Sequence, residues 1–406
     1  MSGGKRLPVL CEADRCTACS ACYSVCPKGA ITMCEDARGE LHPAVDAGTC
    51  VGCGLCERTC PETGVATVGR SGKPAVYCCW LKDGAMRRES TSGGAAYAIS
   101  ATVIERGGRV WGAAYDENMS VRYTEADTLE ALGRIQKSKY VQSYVGDAFK
   151  TIKRELDRGD LVLFAGTGCH VKGLRAYLRK DYENLVTVDI VCHGVPGQGI
   201  FMKYKDWLER RYNDKLIDYQ PRYKRPDGKE AGYGSAAVFK GRGLVMLERR
   251  DNAYFTGFQR NLFLRANCFD CQANGEERYS DITVADFWGL GRVEPFEDYR
   301  QRALGISMLA LNTAKARAWF ERFSGKLVCE ERTYREASLS NAQYYRSVKP
   351  SPLREQFWGE YPDRSWEYMA GKYMRLSAKE RLQYWLKKLI PSDMLSYIKH
   401  KVKWIK

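Results

Sequence analysis

The chain has 406 residues, 44% hydrophobic and 28% charged, with a formal net charge of +15 and 17 cysteines. That length supports two or three domains with substantial cores, and the balance is that of a soluble globular protein. No run approaches the roughly 18 consecutive apolar residues of a membrane-spanning helix, and no Ser/His/Asp or paired-carboxylate pattern supports hydrolytic chemistry.

The opening stretch "MSGGKRLPVL" lacks the apolar segment and cleavage site of a secretory signal, so a cytoplasmic location is expected. Disulfides are rare in that compartment, and the cysteine spacing is therefore tested first for metal chelation.

The first element in chain order is an internal repeat. "CTACSACYSVCP" is answered by "CVGCGLCERTCP", so that Cys16, Cys19, Cys22, Cys26 and Pro27 recur as Cys50, Cys53, Cys56, Cys60 and Pro61. Two runs of C-x2-C-x2-C-x3-C-P are the bacterial ferredoxin pattern for two 4Fe-4S clusters, in which the fourth cysteine of each run serves the other cluster. Cys16, Cys19, Cys22 and Cys60 are thus expected to hold one cluster, and Cys50, Cys53, Cys56 and Cys26 the other. The small residues Ala18, Ser20, Gly52 and Gly54 let backbone amides point at sulfur. Zinc takes ligands as two spaced pairs, and triplets followed by Cys-Pro are not its pattern. Cys11 and Cys34 fall outside the register.

From "KPAVYCCW" onward the pattern changes to alternating helices and strands. "SGGAAYAISATVIERGG" reads as a helix opened by Ser92 and two glycines, and "RVWGAAYD" as the strand after it. "GDAFKTIKRELDRGD" reads as a further helix. Next are strand 161–165, helix 170–180, strand 185–191 and helix 199–212. Such alternation predicts a mainly parallel sheet with covered faces.

The turn in "VLFAGTGCH" admits two readings. Gly166-Thr167-Gly168 can begin a dinucleotide cradle, with Asp189 as the acidic ribose partner, but Val171 stands at the third glycine position. Alternatively, Cys169 and Cys192 both follow strands of one right-handed βαβ unit and emerge at the carboxyl edge of the sheet. With the chelating pair Cys268 and Cys271 in "NCFDC" they make four thiols, enough for a third 4Fe-4S cluster. Inert buried thiols are the alternative. His170 and His193 have no ligand spacing and are read as supporting residues.

"STSGGAAYAI", "KSKYVQS", "GTGCHVKGLRAYL", "TVDIVCHGVP", "CFDC", "DITVADFWG" and "GISMLALNT" together resemble the beta-subunit family of coenzyme F420 hydrogenases and dehydrogenases, the coenzyme being a deazaflavin. The resemblance spans roughly residues 75 to 315. Gly168 stands where the family usually has proline, and Gly197 where serine is common. The resemblance implies an FAD-containing iron–sulfur oxidoreductase that exchanges hydride with a small organic donor or acceptor. It works with an electron-carrier protein or redox-enzyme partner. Ser92, Gly93 and Gly94 would face the flavin pyrophosphate at a helix start. Lys139 would stabilise the reduced ring or a phosphate, and Asp286 would lie near the flavin or third cluster. The catalytic residues stay unassigned, the flavin itself being the expected catalyst. An electron-transfer subunit without its own substrate is the second reading, and a cluster-gated sensor the third.

The last 33 residues carry nine Lys/Arg and two Asp/Glu. "LSAKERLQYWLKKLI" and "SDMLSYIKHKVKWIK" read as amphipathic helices split by Pro391. They suit either a helix on an anionic membrane surface or a lid with a solvated basic face. No nucleic-acid motif accompanies the charge. The expected organisation is an α+β ferredoxin-like module (1–72), an α/β domain with a mainly parallel sheet (73–345) and a basic helical extension (346–406).

Overall fold

The computed structural model describes residues 6–63, 69–224, 234–248, 251–298, 300–377 and 380. The two amphipathic stretches of the basic tail lie almost wholly outside the described residues.

The 34-residue repeat survives as backbone. Helices Ala21–Val25 and Leu55–Thr59 occupy equivalent positions and flank the hairpin of β1 (Ile31–Glu35) and β2 (Leu41–Val45). Left-handed residues recur in register, Ala18 with Gly52 and Ser20 with Gly54, at φ between 51° and 70°. Glycine adopts that conformation without cost, and the loop between successive cysteines turns sharply in both repeats.

The remaining strands are β3 (Ala75–Leu81), β4 (Arg109–Tyr115), β5 (Val121–Ala126), β6 (Val162–Thr167), β7 (Leu185–Ile190), β8 (Leu216–Tyr223), β9 (Gly234–Phe239), β10 (Gly243–Met246), β11 (Ile282–Asp286), β12 (Ser307–Leu311) and β13 (Leu327–Arg332). Eight of them form one sheet in the order β13-β3-β12-β11-β7-β6-β4-β5. Parallel pairing is confined to its centre, where β4, β6, β7 and β11 run together. The flanks are antiparallel, which departs from the expected mainly parallel sheet. The reason is connectivity, since parallel neighbours need a helical crossover whereas β4 and β5 are joined by the tight turn 116–120. In that turn the Asp116 carboxylate accepts from the amides of Asn118 and Ser120.

The apolar runs of β6 and β7 are almost wholly buried, as strands covered on both faces must be. Helix Gly168–Leu178 follows β6 directly, and helix Gln198–Tyr212 follows β7. A second sheet, β8-β9-β10, packs with helix Gln198–Tyr212 and with residues 357–374 in an aromatic core. There Trp366 stands 5.2 Å from Tyr204 and Tyr204 stacks on Tyr254.

One sequence expectation fails locally. Ser92 does not cap the helix, which spans Ala95–Glu105 and starts from Gly94 in a left-handed conformation without any side-chain cap. The Ser92 hydroxyl instead donates to the carbonyl of Ile306 at 3.0 Å, tying its loop to the entry of β12.

The ferredoxin module docks on the α/β domain through backbone and buried charge. The turn at Gly39 meets the start of helix Gln198–Tyr212, where a Cβ at Gly197 would stand 2.5 Å from the Gly39 carbonyl oxygen. Backbone on both sides leaves no room for a side chain at Gly197. Arg265, 1% exposed, donates to the Cys16 carbonyl at 2.8 Å and to Gln142 at 3.1 Å, with Glu40 at 3.6 Å. Lys172 and Glu62 form a buried ion pair at 2.9 Å.

Gly197→Ser should therefore cost about 1–3 kcal/mol through overpacking against backbone. Arg265→Met should cost about 3 kcal/mol by stranding Glu40 and two carbonyl acceptors. Anaerobic denaturant unfolding with intact clusters checks both, and unchanged midpoints would contradict the docking geometry.

Candidate iron–sulfur and cofactor site

The structure brings predicted ligand cysteines near one another in two places, and pairs Cys56 with Cys26 in a third. Cys16, Cys19 and Cys22 lie within electrostatic reach of one another and of Cys60, which arrives from the second repeat. Cys56 in turn interacts with Cys26 from the first repeat. Cys60 and Cys26 thus each lie near cysteines of the other run. Cys50 and Cys56 are buried, while Cys53 is exposed beside the exposed Val51.

Backbone amides point at sulfur in matched pairs. Ala18 N–H meets Cys16 Sγ at 3.4 Å, and its repeat mate Gly52 N–H meets Cys50 Sγ at 3.4 Å. Ala30 N–H approaches Cys26 Sγ at 3.3 Å. Such donors favour thiolate over thiol, the form that binds metal.

The third group forms at the carboxyl edge of the sheet. Cys169 opens helix Gly168–Leu178 directly after β6, and Cys192 lies two residues beyond β7. The loop after Cys192 pairs back through Pro196 and Leu264, with Arg265 N–H donating to the Val195 carbonyl at 2.9 Å. That bridge delivers the short 3-10 turn Ala266–Asp270, which carries Cys268 and is followed at once by Cys271. All four thiols interact electrostatically with one another. Val195 and Ala273 amides donate to Cys268 and Cys271 Sγ, each at 3.4 Å.

Burial pushes Cys19, Cys192 and Cys268 up to about 12, and holds Cys22 and Cys169 well above the ordinary thiol range. Protons on such thiols leave when cations take their place. A single zinc ion would need ligand atoms much closer together than a cluster does. Among the described residues only Asp36, Glu40 and His42 gather three metal-binding atoms within 4.8 Å, and no cysteine trio does.

The groups adjoin. A Cβ at Gly173 in helix Gly168–Leu178 would stand 2.8 Å from Cys19 Sγ, so the helix that begins at Cys169 touches the first group. Arg265 acts electrostatically on both Cys16 and Cys268 from between them. His170 bonds Tyr123 Oη at 3.0 Å, and His193 bonds Asn261 at 2.7 Å, in keeping with supporting roles. Cys11, outside the repeat register, nevertheless lies near Cys16 and Cys60, which hold its thiol above the ordinary range. Cys11 in turn draws the Cys16 thiol down to about 4.

The dinucleotide-cradle reading of the turn fails. Side chains at Gly166 and Gly168 would collide with Tyr123 Oη at 2.3 Å and crowd Ala273 and Asp189 at 3.0 Å, so the space is already filled. Asp189 is fully buried and accepts two bonds from Arg278, leaving no ribose partner.

The residues expected at the flavin surround a basic set on and just beyond β8, which sequence reasoning missed. Asp286 pairs with Arg222 through both carboxylate oxygens. Lys224 Nζ donates to the Ser92 carbonyl at 2.6 Å and the Arg87 carbonyl at 2.7 Å. Lys137 joins Glu89 at 3.2 Å and Gln220 at 3.1 Å, and Gln220 leads on to Asp218, which faces Lys139. Burial draws both Lys139 and Lys224 down to about 7, so each is a desolvated cation. Gly93 and Gly94 are pressed against Cys79, Ser307 and Leu81. They set the loop against the sheet and leave no open cradle of their own. Tyr140 links this set to the third group, lying within electrostatic reach of Arg222, Asp286 and Cys192. The basic "RYK" run at the end of β8 was the available signal.

Comparison with known proteins finds two domain matches. Residues 15–64 match the 4Fe-4S dicluster domain. Residues 159–337 match the family described as the C terminus of the coenzyme F420 hydrogenase/dehydrogenase beta subunit. No curated protein matches. A chain of the xenon-derivatised F420-reducing NiFe hydrogenase complex from Methanosarcina barkeri aligns at 14% identity and a TM-score of 0.41, over 74% of this chain and 91% of that one. The chain thus carries a 4Fe-4S dicluster domain near its N-terminus, followed by a region similar to the C terminus of the coenzyme F420 hydrogenase/dehydrogenase beta subunit.

Proposed function

We propose that the protein is an iron–sulfur flavoprotein oxidoreductase in which electrons pass along three 4Fe-4S clusters to FAD. The cluster ligands are the three cysteine quartets: Cys16, Cys19, Cys22 and Cys60; Cys50, Cys53, Cys56 and Cys26; Cys169, Cys192, Cys268 and Cys271. The single observation carrying this reading is their continuity. Cys19 abuts the helix begun by Cys169, and Tyr140 connects Cys192 to the basic set.

The exposed Cys53 and Val51 make the second quartet the port for an external electron carrier. At the other end, Lys139, Lys224 and Arg222 supply cations for the pyrophosphate and the reduced ring of FAD. When bound, FAD converts one-electron delivery into hydride exchange with a small organic partner. Coenzyme F420 is one such partner by family, and other acceptors fit the same chemistry. The described residues contain no helix long and apolar enough to cross a membrane.

Two outcomes follow. FAD affinity depends on pH because Lys139 and Lys224 stand near 7 in the free protein. Below pH 7 both are charged and binding is strongest. Above it, each lysine must take up a proton to meet the anion, so affinity falls about tenfold per pH unit per lysine. Anaerobic FAD titration between about pH 7 and 9 reads this. Lys224→Met should weaken binding at neutral pH and flatten the slope, whereas a flat wild-type profile would contradict the assignment. Cys271→Ser should leave the N-terminal clusters reducible by dithionite but slow reduction of bound FAD at least about tenfold, about 1.4 kcal/mol of barrier. Stopped-flow absorbance checks it, and an unchanged rate would remove the third quartet from the path.

A further inference from the structure

Cys79 and Cys329 lie outside the three quartets. They stand directly opposite each other on β3 and β13, in antiparallel register. Opposed residues in such a pair have Cα atoms about 4.5–5.5 Å apart, within the roughly 4.4–6.8 Å that a disulfide bridges. Each thiol acts on the protonation of the other, as close neighbours do. Cys78, the neighbour in sequence, projects to the other face toward Glu330 and is excluded by the strand alternation. β13 is the last strand of its sheet, and Cys329 is partly open whereas Cys79 is fully buried.

We propose that Cys79 and Cys329 form a reversible dithiol–disulfide pair, a redox modification site separate from the iron-binding quartets. It goes beyond the electron path proposed above and does not depend on it. The oxidant is an external disulfide of the glutathione type. Cys329 reacts first, because it is the accessible sulfur. The neighbouring Cys79 thiol and then the Lys82 ammonium also hold its thiol below the ordinary range. Its thiolate attacks one sulfur of the external disulfide, a mixed disulfide forms, and the first small thiolate leaves. Cys79 then gives up its proton and attacks the Cys329 sulfur, releasing the second small thiolate. The two cysteines lose two electrons and two protons, and the external disulfide becomes two thiols.

The bond would fasten the edge strand to β3, which supports the loop at Ser92–Gly94. Leu81 N–H donates to the Gly93 carbonyl at 2.8 Å, and the Cys79 carbonyl lies beneath Gly93. The oxidation state of the pair is therefore set down beside the loop whose Ser92 carbonyl receives Lys224.

The test uses the full chain with its clusters, equilibrated without oxygen in buffers of rising oxidised-to-reduced glutathione ratio. Thiols are trapped with an alkylating agent and the digest is read by mass spectrometry. The expected result is a peptide linking Cys79 to Cys329, rising with the ratio and lost on adding dithiothreitol. Cys78→Ser should retain the link. Cys329→Ser should abolish it while leaving iron per chain unchanged. Absence of the link at the most oxidising ratio, its loss in Cys78→Ser, or iron loss in Cys329→Ser would overturn the proposal.

Discussion

A thiol taken out of water holds its proton more tightly unless hydrogen-bond donors or positive charge favour the thiolate, and this constraint organises the structure. The chain buries or half-buries most of its predicted ligand cysteines and supplies backbone amides to their sulfurs. Left protonated, these thiols would be ordinary core residues with unusually many donors aimed at them. With iron bound, the same donors offset the negative charge of the thiolates. The loops containing Ala18, Ser20, Gly52 and Gly54, turned to positive φ, make sense as a means of aiming those amides.

That constraint also explains why the ferredoxin module is packed onto the α/β domain rather than tethered to it. Electron transfer needs short gaps, and the contacts at Gly39 with Gly197, Cys19 with Gly173 and Arg265 with Cys16 close them. Each closes a gap with small residues or a buried cation. Arg265 serves both ends, since its charge acts on Cys16 and Cys268 together.

Much of this was legible in the sequence where the signal is local. The two cysteine runs carry their own spacing, and helix Gly168–Leu178 and strands β6 and β7 follow directly from apolar periodicity. Cys169, Cys192, Cys268 and Cys271 could be joined because strand ends of one βαβ unit share an edge. What was hidden depends on distant partners. Strand direction at the sheet flanks leaves no mark on an apolar run, and the β8-β9-β10 sheet carries no motif. Ser92 has the residue type of a cap, yet a carbonyl more than 200 positions away claims its hydroxyl. Cys11, Arg265 and Lys224 take their roles from where tertiary packing leaves them, and spacing alone cannot show that.

The central claim is that three quartets of sulfur each hold an iron cube. Iron and acid-labile sulfide, quantified per chain after anaerobic preparation, test it most directly. The account predicts about twelve of each, four per cluster. A value of about eight would leave only the N-terminal pair and contradict the proposed route from ferredoxin to flavin.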